Sequence, residues 1–197
     1  MKQLFLFLSV YILPLTSMGQ LTKDNWLIGG MGNFYSYNQT YSSPTNNATA
    51  KYTSIEISAS VGYFLIDKLS LGLRPTFSSY KGEVTSSGLV TNTNKFAFGP
   101  FVRYYFLSTD KPFNLLTDIS YQLGINKFAL PPKEKGKFNT LSIMAGTEIF
   151  FNTTVGLDIL LGYKLKTETI DDSPSKYKDV RKGIQASIGL QIHLEKL

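Results

Sequence analysis

The sequence feature that most constrains this fold is a strict alternation of apolar and polar residues that begins at Ile184. One face of this segment carries Ile184, Ala186, Ile188, Leu190, Ile192 and Leu194. The intervening face carries Gln185, Ser187, Gly189, Gln191, His193 and Glu195. Because successive side chains of a β-strand point to opposite faces, this pattern predicts a strand with one apolar face. Seven further segments alternate in the same way, so the chain is predicted to be all-β with eight strands.

The segments between the predicted strands alternate in length. Three are short, at residues 66–68, 108–111 and 152–153, and four are long and polar, at residues 36–51, 82–94, 127–137 and 167–182. Because short and long connections are interleaved, all of the long ones fall at one end of an up-and-down barrel. Transmembrane barrels have this asymmetry, and about 9–11 residues per tilted strand cross a bilayer. The pattern predicts an eight-stranded antiparallel up-and-down transmembrane β-barrel.

Glycine indicates which face of the barrel is inside. Seven of the predicted strands carry a glycine on the polar face, namely Gly62, Gly72, Gly99, Gly124, Gly146, Gly162 and Gly189. The interior of an eight-stranded barrel is just wide enough for side chains, so small residues belong on its inner face. The polar face is therefore predicted to line the lumen and the apolar face to contact lipid. The alternative is a soluble lipocalin-like carrier with an apolar interior, against which the charged residues of the polar face argue.

The first twenty residues follow a different pattern. Lys2 precedes an apolar run at residues 4–15, and the small residues Ser17 and Gly19 follow it. These are the parts of a secretory signal peptide, so residues 1–19 are predicted to be removed and residues 20–197 to form the barrel. The alternative is an N-terminal membrane anchor, but the apolar run is too short to span about 30 Å of hydrocarbon as a helix.

Two segments of the sequence resemble a known group of proteins. The segment GYFLIDKLSLG at residues 62–72 and the opening WLIGG at residues 26–30 are similar to small eight-stranded outer-membrane β-barrel proteins, the OmpA/OmpX-like group and its PorT-like relatives. The resemblance implies the outer membrane of a Gram-negative bacterium, with periplasmic termini and extracellular long loops. The chain departs from the group at its end, because many such barrels end in phenylalanine and this sequence ends in Leu197.

Charged residues on the predicted inner face form a candidate site. Five of them fall at similar heights on consecutive strands, namely Arg74, Arg103, Asp118, Glu148 and Asp158. Because an isolated buried ion costs several kcal/mol, charges in a narrow lumen must be paired. We interpret the five residues as a structural ion-pair network that plugs the lumen. The alternatives are a carboxylate pair for acid/base chemistry and a path for cations.

The composition argues against most classes of enzyme. The sequence has no cysteine and a single histidine, His193, which excludes thiol catalysis, cysteine-ligated metals and multi-histidine sites. His193, Ser187 and Glu195 are predicted to face the lumen, whereas one type of lipid-modifying barrel enzyme carries a His/Ser/Glu site on its lipid-facing surface. We expect a non-enzymatic protein that uses no cofactor and no metal. A lipid-modifying barrel enzyme is the alternative.

A group of lysines marks the third long connection. Lys127, Lys133, Lys135 and Lys137 stand there against one acidic residue, Glu134. Basic side chains beside an anionic outer leaflet favour contact with the phosphates of lipopolysaccharide, and the alternative is a solvated loop. Nucleic acid is not an expected partner, because the basic residues are spread over several loops. The expected partners are outer-membrane lipid and lipopolysaccharide, and the expected role is in envelope integrity, adhesion, or as an accessory to secretion or assembly.

Overall fold

The computed structural model describes residues 21–43, 46–84, 89–128, 135–172 and 175–196, which contain eight antiparallel strands closed into a barrel. The strands are β1 (Trp26–Ser43), β2 (Asn46–Ile66), β3 (Leu69–Val84), β4 (Leu89–Tyr105), β5 (Phe113–Phe128), β6 (Lys135–Phe150), β7 (Val155–Asp172) and β8 (Ser175–Leu194). Each strand pairs with the next along the chain, and β1 pairs with β8. The predicted all-β, up-and-down architecture is confirmed. The predicted signal peptide, residues 1–19, lies outside the described residues.

The alternation of side chains places apolar groups on the outer surface of the barrel. In β2, Ile55 and Ile57 are 52% and 62% exposed, whereas the intervening Glu56 and Ser58 are buried. The facing of β1 is also defined, because Leu27 is buried inside the barrel. The prediction that the polar face lines the lumen is therefore confirmed. A lipocalin-like carrier needs the opposite facing.

Two inward glycines make room for an aromatic ring in the lumen. Gly62 and Gly72 lie opposite each other on β2 and β3, and a Cβ atom built on them would lie 2.9 Å and 2.6 Å from the ring of Phe101. A side chain at either position would therefore displace this buried ring. The Phe101 ring in turn lies against the guanidinium of Arg74, whose Cζ is 4.4 Å from the ring centroid. The small residues on the inner face thus help to position a charged group of the candidate site.

Aromatic side chains mark one end of the outer surface. Trp26 and Tyr63 pack edge to face with their ring centroids 5.2 Å apart, and Tyr104 and Phe106 do so at 5.1 Å. These residues lie near the short connections, on the outside of the barrel. Because aromatic residues concentrate at membrane–water interfaces, this group marks one edge of the lipid-contacting band.

The three short connections lie where the sequence predicts them. β2 and β3 join through a two-residue turn in which Lys68 has a positive φ of 68°. The connection between β4 and β5 is held by Asn114, whose side-chain oxygen accepts from the backbone N–H of Leu107 at 2.8 Å. Asn152 plays a similar part between β6 and β7, where its side-chain oxygen accepts from the backbone N–H of Thr154 at 2.8 Å.

The prediction of four long polar loops is wrong. β1 and β2 stay paired as far as Ser43 and Asn46, and β7 and β8 stay paired as far as Asp172 and Ser175. The strands are 16–21 residues long, whereas about 9–11 residues suffice to cross a bilayer. Threonine and tyrosine are frequent in these segments. Both residue types have a high propensity for β-strands, and their hydroxyl groups can also be exposed to solvent. Polarity therefore marks where the strands leave the hydrocarbon and not where they end.

This correction also changes the setting of the predicted lysine group. Lys127 in β5 lies opposite Lys135 in β6, so both belong to a strand pair and not to a loop. Lys137 also lies in β6, and its side chain is exposed. Lys133 lies outside the described residues.

Closure of the barrel predicts that the protein resists SDS. Opening a closed barrel in an apolar environment would leave unpaired backbone groups that each cost several kcal/mol. SDS without heating is therefore not expected to unfold the protein. We expect unheated and boiled samples of the purified protein to migrate differently in SDS gel electrophoresis. Identical migration of a sample whose circular dichroism shows β-sheet before SDS is added would contradict a closed barrel.

Candidate functional site

Arg103 lies at the centre of a buried charge cluster in the lumen. Its Nε is 3.0 Å from Asp118 Oδ2, and its Nη2 is 2.8 Å from Asp158 Oδ2. Its Nη1 is 3.7 Å from Glu148 Oε2. All four side chains are fully buried. The guanidinium therefore faces three carboxylates that come from three different strands.

Arg74 extends the cluster on the other side of Asp118. Its Nη1 and Nη2 donate to the two oxygens of Asp118 at 2.7 Å and 2.8 Å, a bidentate pairing. Its Nε donates to the hydroxyl of Ser60 at 2.9 Å. Asp118 thus joins two arginines, and all five charged residues expected at this height come together. We call these five residues, Arg74, Arg103, Asp118, Glu148 and Asp158, the lumen charge cluster.

The strand register explains why the lumen charge cluster needs its central arginine. Arg103 on β4 lies directly opposite Asp118 on β5, which is a favourable pairing of opposite charges. Glu148 on β6 lies directly opposite Asp158 on β7, and like charges in that position repel each other. Because Arg103 reaches across the lumen to both of these carboxylates, it compensates a repulsion that the register itself creates.

Three further side chains add contacts to the carboxylates of Glu148 and Asp158. Tyr105 donates its hydroxyl hydrogen to Glu148 Oε2 at 2.6 Å, and Nε2 of His193 lies 2.6 Å from Glu148 Oε1. Gln191 donates its amide hydrogen to Asp158 Oδ2 at 2.8 Å. Two guanidinium groups face three carboxylates, so one proton, on His193 or on a carboxylate, makes this assembly neutral. Sequence reasoning placed His193 on the inner face and missed that these three residues bind the cluster.

An apolar layer seals the lumen below the lumen charge cluster, at the end with the short connections. Leu21, Phe64 and Phe150 are fully buried there, and the Phe150 ring lies 5.5 Å from that of His193. Leu21 precedes β1, and its carbonyl accepts a hydrogen bond from the backbone N–H of Lys68 at 2.7 Å. The segment before β1 therefore packs across this end of the barrel as a plug.

A second set of ion pairs fills the lumen above the lumen charge cluster. Lys164 Nζ lies 2.6 Å and 2.7 Å from the two oxygens of Glu56, and Lys95 Nζ lies 2.8 Å from Glu168 Oε2. Lys166 Nζ lies 3.9 Å from the centroid of the Phe138 ring, a cation–π contact. Sequence reasoning missed these pairs, although the alternation puts Glu56 and Lys164 on the inner faces of predicted strands; Glu168 lies in a segment predicted to be a loop.

Little space remains between the two charged layers. A cavity of about 20 Å³ lies between Ser58, Thr76, Ser120 and Ser142, among other polar residues. A cavity of this size holds about one water molecule. A substrate or a file of hydrated ions does not fit in it.

The structure places two of the three remaining sequence candidates, Ser187, His193 and Glu195, inside the lumen. Ser187 and His193 are buried in the lumen as predicted, but Glu195 is exposed and lies beyond the end of β8. The prediction that Glu195 faces the lumen is wrong, because the strand and its alternation end at Leu194. Within the described residues, no group of three or more histidine, aspartate or glutamate side chains is arranged to hold a metal ion.

Comparison with known proteins supports the architecture. No family model matches this chain, and no curated protein matches it in sequence. Among solved structures, the crystal structure of Neisserial surface protein A is similar, with 20% sequence identity and a TM-score of 0.52, and the match covers 85% of this chain and 96% of that one. The solid-state NMR structure of outer membrane protein AlkL in lipid bilayers matches at 12% identity and a TM-score of 0.43, covering 88% of this chain and 89% of that one. The chain has the fold of the small eight-stranded outer-membrane β-barrels, as the resemblance in its sequence implies.

Proposed function

We propose that this protein is a sealed, non-enzymatic barrel of the outer membrane that acts through its structure and its projecting strands. The observation that carries the proposal is the filled lumen. An apolar plug, the lumen charge cluster and a second layer of ion pairs follow one another along the barrel axis. Eight strands enclose room for side chains, whereas aqueous porins use about sixteen or more.

The lumen charge cluster has a structural role in this proposal. Each of its carboxylates is engaged by an arginine, and the cluster is sealed from the short-turn end by Leu21 and Phe64. Acid/base catalysis needs space for a substrate beside the carboxylates, and the adjoining cavity holds about one water molecule. Ion conduction needs charged side chains that bind a passing ion and release it again. The charged side chains of the lumen charge cluster are instead paired with one another.

The surface beyond the membrane is the proposed place of contact with partners. Counted from the aromatic group near the short connections, about 9–11 residues of each strand cross the hydrocarbon. The rest of each strand projects from the opposite side, which we assign to the cell exterior, with the short connections and both termini in the periplasm after removal of residues 1–19. Lys127, Lys135 and Lys137 lie on this projecting part of β5 and β6, where they favour contact with lipopolysaccharide phosphates.

Removing the central arginine should destabilise the barrel. In Arg103→Met, three buried carboxylates lose their shared guanidinium, and breaking a buried ion pair costs about 3–5 kcal/mol. We expect a loss of this size in the free energy of unfolding by urea in lipid vesicles, followed by the fluorescence of Trp26, the single tryptophan.

Two further variants test whether the loss of stability in Arg103→Met comes from lost charge pairing or from substitution in general. Lys137→Met removes an exposed charge and should change the free energy of unfolding by less than about 0.5 kcal/mol. The triple variant Arg103→Met, Glu148→Gln, Asp158→Asn removes the carboxylates with the arginine and should recover part of the stability lost in Arg103→Met. An Arg103→Met protein as stable as the wild type would refute the structural role of the cluster.

The filled lumen also predicts that the protein does not conduct ions. Purified protein inserted into planar bilayers should show no steady conductance above that of the protein-free bilayer. A portion of the same protein preparation is run on SDS gels without heating, where its altered migration verifies that the barrel is folded. Stable ion-selective channels that Asp118→Asn abolishes without unfolding the barrel would mean that the lumen is a pathway.

A further inference from the structure

Two buried oxygen atoms beside Arg103 accept no hydrogen bond from any described residue. They are Asp158 Oδ1 and Gln191 Oε1. Their side chains are already joined, because the Gln191 amide donates to Asp158 Oδ2 at 2.8 Å. Arg103 Nη2 lies 2.8 Å from the same oxygen. Both donors therefore bind Asp158 Oδ2, and Asp158 Oδ1 is left beside a second acceptor.

The orientation of the Gln191 amide follows from its neighbours. Asp158 Oδ2 accepts from Arg103, so the amide nitrogen of Gln191 and not its oxygen must face that atom. Gly29 on β1 lies directly opposite Gln191 on β8, and a Cβ atom built on Gly29 would overlap Gln191 Oε1. The glycine therefore leaves the space that the buried amide occupies.

The charges that face Asp158 leave room for one proton. Arg103 on β4 pairs with it, Glu148 lies opposite it on β6, and Asp118 on β5 lies on the other side of Arg103. The lumen charge cluster holds two guanidinium groups and three carboxyl groups. His193 on β8, which contacts Glu148, is the remaining group that could carry the balancing proton.

The surroundings of His193 favour its neutral form. Its ring lies among the rings of Phe64, Tyr105 and Phe150, with centroids 6.0, 6.1 and 5.5 Å away. Nε2–H of the neutral ring can donate to Glu148, whereas Nδ1 is buried and has no partner among the described residues. An imidazolium would add a charged N–H at Nδ1 without an acceptor, which is costly in an apolar environment.

Of the three carboxyl groups, Asp158 has the free oxygen that a proton requires. Asp118 accepts on both oxygens from the two arginines of the cluster. Glu148 accepts on one oxygen from Tyr105 and faces His193 with the other. Asp158 accepts on Oδ2 alone, and the atom that its Oδ1 could donate to belongs to the neighbouring amide.

We propose that Asp158 is a protonated carboxylic acid in the folded barrel and that its Oδ1–H donates to Gln191 Oε1. The acid and the amide then form a cyclic pair with two hydrogen bonds, which satisfies both buried oxygens. The proton makes the lumen charge cluster neutral and removes the repulsion between Asp158 and Glu148. Because an aspartate in the unfolded chain is ionised above about pH 4, folding at neutral pH takes up one proton here. This inference does not depend on the proposed function.

A buried water molecule is the competing arrangement, because one water can donate to both oxygens. Asp158 would then be ionised, and with a neutral His193 the cluster would carry a net negative charge. An uncompensated charge in a lumen that apolar side chains seal costs several kcal/mol. The proton therefore explains the two oxygens at a lower cost.

Infrared spectroscopy distinguishes the two arrangements. A protonated carboxyl group has a C=O stretching band that is separate from the bands of carboxylates. The full mature protein is reconstituted in phospholipid vesicles in buffered D₂O at neutral pH, where we expect this band in the wild type and its loss in Asp158→Asn. Asp110→Asn makes the same change at an exposed aspartate and should keep the band.

The stability of Asp158→Asn gives a second, independent test. Asparagine can donate from Nδ2 to Gln191 Oε1 and accept on Oδ1, so it reproduces the neutral acid without binding a proton. We expect Asp158→Asn to unfold at a higher urea concentration than the wild type at pH 7. Relative to Asp158→Asn, the unfolding constant of the wild type should rise about tenfold between pH 5 and pH 6, the signature of one proton bound in the folded state alone. Asp110→Asn should keep the pH dependence of the wild type.

Three results would overturn the inference. Absence of the C=O band from the wild type, or its persistence in Asp158→Asn, would show that Asp158 is ionised and favour the buried water. An Asp158→Asn barrel that is less stable than the wild type at pH 7, or that does not fold, would mean that Arg103 pairs with a carboxylate. A ratio of unfolding constants that does not change with pH would exclude the proton uptake. Conductance measurements, which test the sealed lumen, are independent of all three.

Discussion

Hydrocarbon offers no hydrogen-bond partner to a backbone amide, and this constraint governs the rest of the structure. It requires the eight strands to pair with one another and the last to pair with the first. Closure with eight strands leaves a lumen no wider than the side chains that fill it. Gly62 and Gly72 on its wall leave space for the ring of Phe101, and that ring lies against Arg74. The narrow lumen and its charges are thus consequences of one requirement.

The charges in that lumen connect strands that are distant around the barrel. Arg103 on β4 binds carboxylates on β5, β6 and β7, and His193 on β8 contacts the carboxylate of Glu148. A change of register by one residue in any of these strands would turn its charged side chain toward lipid. The lumen charge cluster therefore favours one register of the whole barrel, in addition to neutralising the repulsion between Glu148 and Asp158.

Local pattern predicted most of the fold, whereas features that depend on distant strands were missed. Alternation with a period of two predicts the number of strands and the facing of their side chains, and it places all five cluster residues inside. It does not distinguish a polar strand in water from a loop, so it predicts loops where the strands project beyond the hydrocarbon. The pairs of Lys164 with Glu56 and of Lys95 with Glu168 join β7 to β2 and β4 to β7, so alternation along one strand does not record them. The pairing of β1 with β8 likewise depends on how the first strand meets the last, which no local pattern records.

The most direct test of the account compares two pairs of neighbouring leucines, one pair in β5 and one in β7, whose members point to opposite faces of the strand. Leu115 and Leu161 are 47% and 62% exposed on the outer surface, whereas Leu116 and Leu160 are 1% and 2% exposed in the lumen. In NMR spectra of methyl-labelled protein in lipid bilayers, nuclear Overhauser effects should connect the methyl groups of Leu115 and Leu161 to lipid acyl chains. Those of Leu116 and Leu160 should show no such contact. Acyl-chain contacts to Leu116 and Leu160, or equal contacts to all four residues, would contradict a lipid-facing apolar surface around a sealed polar lumen.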